Sequence, residues 1–234
     1  MGSHWVYKLI VYSKLKNKLM LTYDKNEFSL PSYRPELAHV AIVGHINEFV
    51  KEHFQLKTTV LRCCRQLENI RIYEVEILEE ESVQFANHVW LTLSQPSDLK
   101  KLNSDDQTIL KSWIDTQRSA GIPWFHVGWR NQMERWAANV LSNSSLTFAQ
   151  IRSWERSALF RIISDTQNYY FKAVPDVFNH EPLLTITYFN IILCTYLKLY
   201  KSNRTKTGIS CEKYKVLYLA RPEKSLTGDK RLNS

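Results

Sequence analysis

The chain has 234 residues, of which 44% are hydrophobic, 12% aromatic and 23% charged, a balance that excludes a disordered chain, a collagen and a coiled coil. Its length permits one large domain or two small ones with a core that needs no disulfide staple. Only six glycines argue against a Rossmann or P-loop nucleotide site. The net charge of +8 is unevenly placed: residues 1–182 hold 21 Lys+Arg against 20 Asp+Glu, and residues 183–234 hold 10 against 3. The basic excess therefore belongs to the tail, and no nucleic-acid partner is expected for the body.

In chain order, residues 5–12 and 18–23 are β-rich runs around a polar turn and predict a hairpin. Residues 29–35 carry two prolines and predict a loop. From 39 to 54, Val43, Ile46, Val50 and Phe54 recur three or four apart, which marks one face of a helix. Residues 57–66 and 70–78 predict paired strands around Glu68 and Asn69. In the second, Ile72, Val75 and Ile77 lie among charges, which predicts one solvated face. A short strand is expected at 89–93. Ser104 with Gln107 forms a capping box before a helix striped by Ile109, Leu110, Trp113 and Ile114. The Gly121–Trp124 stretch predicts a linker, followed by a helix at 132–141. Trp113, Trp124, Trp129, Trp136 and Trp154 cluster around it and predict an interdomain core.

Three strands at 150–154, 159–163 and 169–174 come next, and Asp176 can cap a helix running past Glu181. Residues 183–197 are nearly all apolar, but fifteen residues are short for a membrane span, and a buried element is the expectation. Cys63, Cys64, Cys194 and Cys211 include no metal-type spacing. Free thiols and an N-terminus without the pattern of a signal peptide predict a cytoplasmic protein.

Lys172 is the one basic residue in the apolar strand YFKAV, and Glu181 follows nine residues later in the expected helix. A lysine on a third strand pinned by a helix glutamate is the arrangement that holds nucleotide phosphates in kinases. Ser153 and Ser157 flank the preceding turn and could offer donors to those phosphates. The same spacing is also met by a solvated lysine and a solvated glutamate.

The patterns RSW at 152–154, SAL at 157–159, YFKAVP at 170–175 and FNHEP at 178–182 resemble the opening of the small lobe in a bacterial branch of the aminoglycoside phosphotransferase, choline-kinase-like family. The resemblance covers about 35 residues. It implies ATP with Mg²⁺ as cofactors, transfer of the γ-phosphate to a small-molecule hydroxyl, and Lys172 and Glu181 as the phosphate-positioning pair, with Ser153 and Ser157 beside them. The family's catalytic loop has the form H-x-D. None of the seven histidines has an aspartate two residues on, and only 53 residues follow Glu181. The expectation is a truncated family member, inactive as this chain, with no catalytic residue assigned.

In that branch a Nudix-like domain precedes the kinase-like part, and the element order up to residue 116 is similar to it. Laid on residues 47–55 (NEFVKEHFQ), the Nudix signature keeps Glu48 and Glu52 as vestigial metal positions. Lys51 stands where a third acid belongs and would repel a cation. Glutamates four apart are also simply the wet face of an amphipathic helix. The expected fold is α+β: a non-catalytic Nudix-like α/β/α domain (1–120), a linker and helix (121–146), the antiparallel sheet and helix of a partial kinase-like small lobe (147–184), and an atypical apolar-then-basic tail (185–234). The alternative function is a non-catalytic module that binds a nucleotide, small molecule or protein on the Nudix-like scaffold. A membrane partner is not expected, and self-association could use the uncovered sheet.

Overall fold

The computed structural model describes residues 4–14, 17–24, 27–36, 38–79, 88–92, 99, 102–116, 121–143, 145–165 and 168–175, together with the backbone of 214–217. The expected helix at 176–181, the apolar run 183–197 and nearly all of the tail lie outside the described residues.

The protein is α+β, as expected. Its first sheet is mixed and seven-stranded. Strands β1 (Val6–Ser13) and β2 (Lys18–Asp24) form the predicted hairpin. The proline-bearing segment read as a loop holds two short edge strands, β3 (Glu27–Ser29) on β2 and β4 (Ser32–Tyr33) on β1. Proline tolerates such edges because it need not donate to a ladder, and the Pro31 carbonyl accepts the Leu9 N–H at 2.8 Å. Strands β5 (Lys57–Leu67) and β6 (Ile70–Glu79) form the second hairpin, turned by Glu68 at φ 44°. Strand β6 lies parallel to β1, while β7 (His88–Thr92) pairs antiparallel with β2.

Two helices cover opposite faces of this sheet. Ile46, Val50 and Phe54 of α1 (Gly44–Phe54) pack on Tyr7, Leu9, Val11, Tyr73 and Val75. Ile109, Leu110 and Trp113 of α2 (Ser104–Thr116) pack on Ile10, Leu19, Leu21 and Ile72. The alternation of Leu9 and Ile10 to opposite faces is the period of an extended strand buried on both sides. The cap of α2 falls one residue before the predicted Ser104. The Asn103 side-chain oxygen accepts the Asp106 N–H at 2.8 Å, and Asn103 Nδ2 donates back to Asp106 Oδ2 at 3.0 Å. Asp106 is fully buried, takes the Leu30 N–H at 2.8 Å and pairs with Lys8 on β1, so the helix start is anchored to the sheet by charge as well as by apolar packing.

The predicted helix start at residue 39 is also displaced. Residues 41–43 lie against the edge of a second sheet instead. Val43 N–H donates to Ile151 O, Ser153 N–H donates to Ala41 O, and Ile42 bridges to Arg152. This approach needs Gly44, since a Cβ there would sit 2.9 Å from the Gln150 carbonyl oxygen. Gly44→Ala is therefore expected to destabilise the protein by about 1–3 kcal/mol in urea unfolding, despite alanine's better helix propensity. An unchanged or raised midpoint would show that the two backbones part at no cost.

That second sheet is antiparallel, in the order β8 (Thr147–Trp154), β9 (Ser157–Ile163), β10 (Asn168–Pro175), with β11 (Tyr214–Leu217) on the far side of β10. The segment read as linker and helix forms a 3-10 turn (Pro123–Phe125) and α3 (Trp129–Leu141), and it packs into the protein. Trp124, Met133 and Ala137 join Ala158, Phe160, Ile162, Phe171 and Ala173 in a third core, with Trp129 against it. Trp124 Nε1 donates to Trp154 O at 2.8 Å. Trp113 belongs to the α2 core, so the expected tryptophan cluster is divided between two cores.

The face of β6 predicted to be solvated is buried. Glu74 and Glu76 are 3% and 4% exposed. Each has a partner: Arg62 Nε, across the same hairpin, donates to Glu74 Oε2 at 2.9 Å, and the Gly128 N–H, far along the chain, donates to Glu76 Oε1 at 2.7 Å. Strand alternation correctly separates the glutamates from Val75, but it cannot tell water from a covering segment.

Candidate functional site

The sheet bearing Lys172 has two different faces. One is closed by α3 and by strand β5. Gln150 donates to Val60 O and accepts from Val60 N–H, both at 2.8 Å, and also accepts from Asn47 Nδ2 at 2.9 Å and Thr59 Oγ1 at 3.1 Å. Arg130 reaches Thr58 O and Phe148 O, each at 3.0 Å. These bonds tie the two sheets through a buried polar seam.

On the other face, directly paired residues of an antiparallel sheet stand side by side. Arg152 pairs with Leu159, and Leu159 pairs with Lys172. The two cationic residues thus flank a leucine on one row, about 10 Å apart at the backbone from the usual strand spacing. Ile42 lies beyond Arg152 in the same row. Arg152 Nε is buried with no hydrogen-bond partner among the described residues, a donor that calls for an acceptor.

Lys172 is on the third strand of this antiparallel sheet, on the face away from α3. Glu181 lies outside the described residues. Ser153 and Ser157 are both buried. The Ser153 hydroxyl donates to the Leu61 carbonyl oxygen of β5, so it serves the seam rather than the row. Ser157 is 3% exposed, paired with Trp154 at the β8–β9 turn. Arg152 was legible only as part of the RSW pattern. Its alignment with Lys172 depends on a β-bulge between Gln150 and Arg152 that shifts the register of β8, and no local sequence signal announces it.

The vestigial Nudix positions behave differently. Glu48 and Glu52 are exposed on α1, beside exposed Lys51. Asn47, which replaces the signature's arginine, is directed into the seam and accepts from Thr58 Oγ1 at 3.1 Å. Near Glu48, burial lowers the His45 pKa while the glutamate charge acts in the opposite sense. Tyr33 is raised, first by burial and then by Tyr7 and Glu48. Among the described residues no three His, Cys, Asp or Glu side chains come together as a metal-ligand set. No described helix is long and apolar enough to cross a membrane.

No protein-family model matches the chain, and no curated protein matches it at a significant level.

Proposed function

We propose that this chain is a phosphotransferase-like protein that binds the polyphosphate of a nucleotide without transferring it, built together with a non-catalytic Nudix-like scaffold. One observation carries the reading: Arg152 and Lys172 flank Leu159 on a single face of an antiparallel sheet. Two long cationic side chains rising from such a row can close on phosphate oxygens between them. The planar guanidinium supplies directed donors, and the ammonium supplies a compact charge. Leu159 gives the row an apolar floor, which strengthens both contacts by keeping water from beneath them.

The proposal stops at binding. Phosphoryl transfer needs a base or positioning group for the acceptor hydroxyl and acidic ligands for Mg²⁺. The H-x-D loop does not occur in this sequence, and the row itself carries no carboxylate. Magnesium would arrive with the phosphates, and Glu181 remains the proposed partner of Lys172. The Nudix-like part of the reading is supported by helices on opposite faces of a mixed sheet in which β1 and β6 are parallel. Lys51 beside Glu48 and Glu52 supports its non-catalytic character.

Calorimetric titration of the full chain with ATP and with adenosine, with and without Mg²⁺, tests this. Wild type is expected to bind ATP, and Lys172→Gln and Arg152→Gln are each expected to weaken it about tenfold or more, the loss of one charge-assisted hydrogen bond. Circular dichroism checks that both variants remain folded. Equal affinity for adenosine and ATP, or ATP binding untouched by either folded variant, would overturn the proposal.

A further inference from the structure

A cleft of about 340 Å³ opens on the α2 side of the first sheet and shares no lining residue with the Lys172 row. Its walls come from three separate places: Tyr12 and Lys14 at the end of β1, Arg62 and Glu74 facing each other across β5 and β6, and Phe125 and His126 from the segment before α3. The volume lies at the lower end of small-molecule sites.

The charges in this cleft are not balanced. Glu74 is almost wholly buried and committed to Arg62 at 2.9 Å, so this pair is internally neutral. The Arg62 bond runs through Nε, and its terminal nitrogens make no further hydrogen bond among the described residues. Lys14 is exposed at the mouth and adds a cation, so the lining holds two cations against one carboxylate. The remaining carboxyl nearby, Glu76, is outside the lining, accepts the Gly128 N–H and offsets part of the Lys14 charge from beneath. The aromatic walls are held by packing from behind: Tyr12 meets Trp113 edge-on at 5.7 Å, and Phe125 meets Trp124 edge-on at 6.3 Å. A site with rigid ring walls, an excess of positive charge and unused guanidinium donors suits a planar ring that carries one negative group.

From this juxtaposition we propose that the cleft is a binding site for small aromatic anions, with the phosphate or carboxylate group held by Lys14 and the Arg62 guanidinium and the ring laid between Tyr12 and Phe125. It is independent of the nucleotide reading, uses none of the same residues, and lies on the sheet face opposite α1.

The test is calorimetric titration of the full chain with phenyl phosphate, benzoate, methyl phosphate and benzyl alcohol. Phenyl phosphate and benzoate are expected to bind at least about tenfold more tightly than neutral benzyl alcohol, and phenyl phosphate more tightly than ringless methyl phosphate. Lys14→Gln is expected to weaken phenyl phosphate about three- to tenfold at low salt while the circular dichroism spectrum stays that of the folded wild type. Lys172→Gln is expected to bind phenyl phosphate like wild type, which separates this cleft from the row on the second sheet. The inference is overturned if the anions bind no better than benzyl alcohol, if Lys14→Gln has no effect, or if binding is lost in Lys172→Gln.

Discussion

Replacing Arg130 by methionine is expected to lower the unfolding free energy by about 3–5 kcal/mol, a large fraction of the stability of a domain of this size. The residue is 4% exposed, and its guanidinium is divided among three acceptors. Nε donates to Glu134 Oε1 at 2.7 Å, Nη1 to the Thr58 carbonyl and Nη2 to the Phe148 carbonyl, each at 3.0 Å. Thr58 belongs to the first sheet and Phe148 to the second, so a single planar fork joins α3 to both. Methionine matches much of the length and apolar volume but leaves two buried carbonyls unmet, and each such loss is costly in a water-poor seam.

Arg130→Lys is expected to recover little, because one ammonium on a flexible stem cannot reproduce a fork aimed at two carbonyls. Glu134→Gln provides the contrast. Its side chain is 24% exposed and its pair lies within one helix, so its loss is expected to cost no more than about 1 kcal/mol. Urea unfolding of the three variants decides the matter. Equal midpoints for Arg130→Met and Glu134→Gln would mean that the seam does not hold the sheets together.

The second large effect concerns pH. Burial pushes the Glu76 carboxyl up to about 7. The Gly128 N–H, Lys14 and Arg130 oppose that shift, and Glu74 adds to it. The second carboxyl oxygen is buried without a hydrogen-bond partner among the described residues. A carboxyl whose folded pKa lies above its unfolded value binds its proton more tightly in the native state. Below the unfolded value near 4.5 both states are protonated, and stability is at its fullest. As pH rises towards 7, the unfolded chain releases the proton first and stability falls. Above 7 both states are ionised and the loss is complete.

Glu76→Gln removes the titration and keeps an acceptor for the Gly128 N–H. It is expected to be more stable than wild type by roughly 1–3 kcal/mol at pH 8, and close to wild type at pH 5. Urea unfolding at the two pH values measures the difference. A variant less stable than wild type at pH 8 would show that the ionised carboxylate contributes to the fold.

These two residues also mark the boundary of what could be read beforehand. The hairpins, the apolar stripe of α1 and the stripe of α2 were legible because each obeys a local period. Val43, Ile46, Val50 and Phe54 need no distant information to declare a face. Arg130 and Glu76 obey no such rule. In sequence they are a charge in the stretch before a predicted helix and a charge along a strand, and both patterns ordinarily mark a solvated position. Ser153 was read as a donor for phosphates because it stands beside a turn, yet its hydroxyl is committed to Leu61 on a strand some ninety residues away in sequence. The cleft was invisible for the same reason, since its three walls meet only after β5 and β6 have paired and the segment before α3 has folded over them.

Sequence alone determined the α+β character, the lysine on a third antiparallel strand and the pairing of residues near in the chain, because period, turn chemistry and short loops act over a few residues. Tertiary structure alone decided which charges are buried, which way residues 41–43 run and that Arg152 stands in line with Lys172. Those outcomes depend on which distant segment covers a face and on a single bulge in β8, and the free energy of burying a charge is set by the partner that arrives rather than by the residue itself.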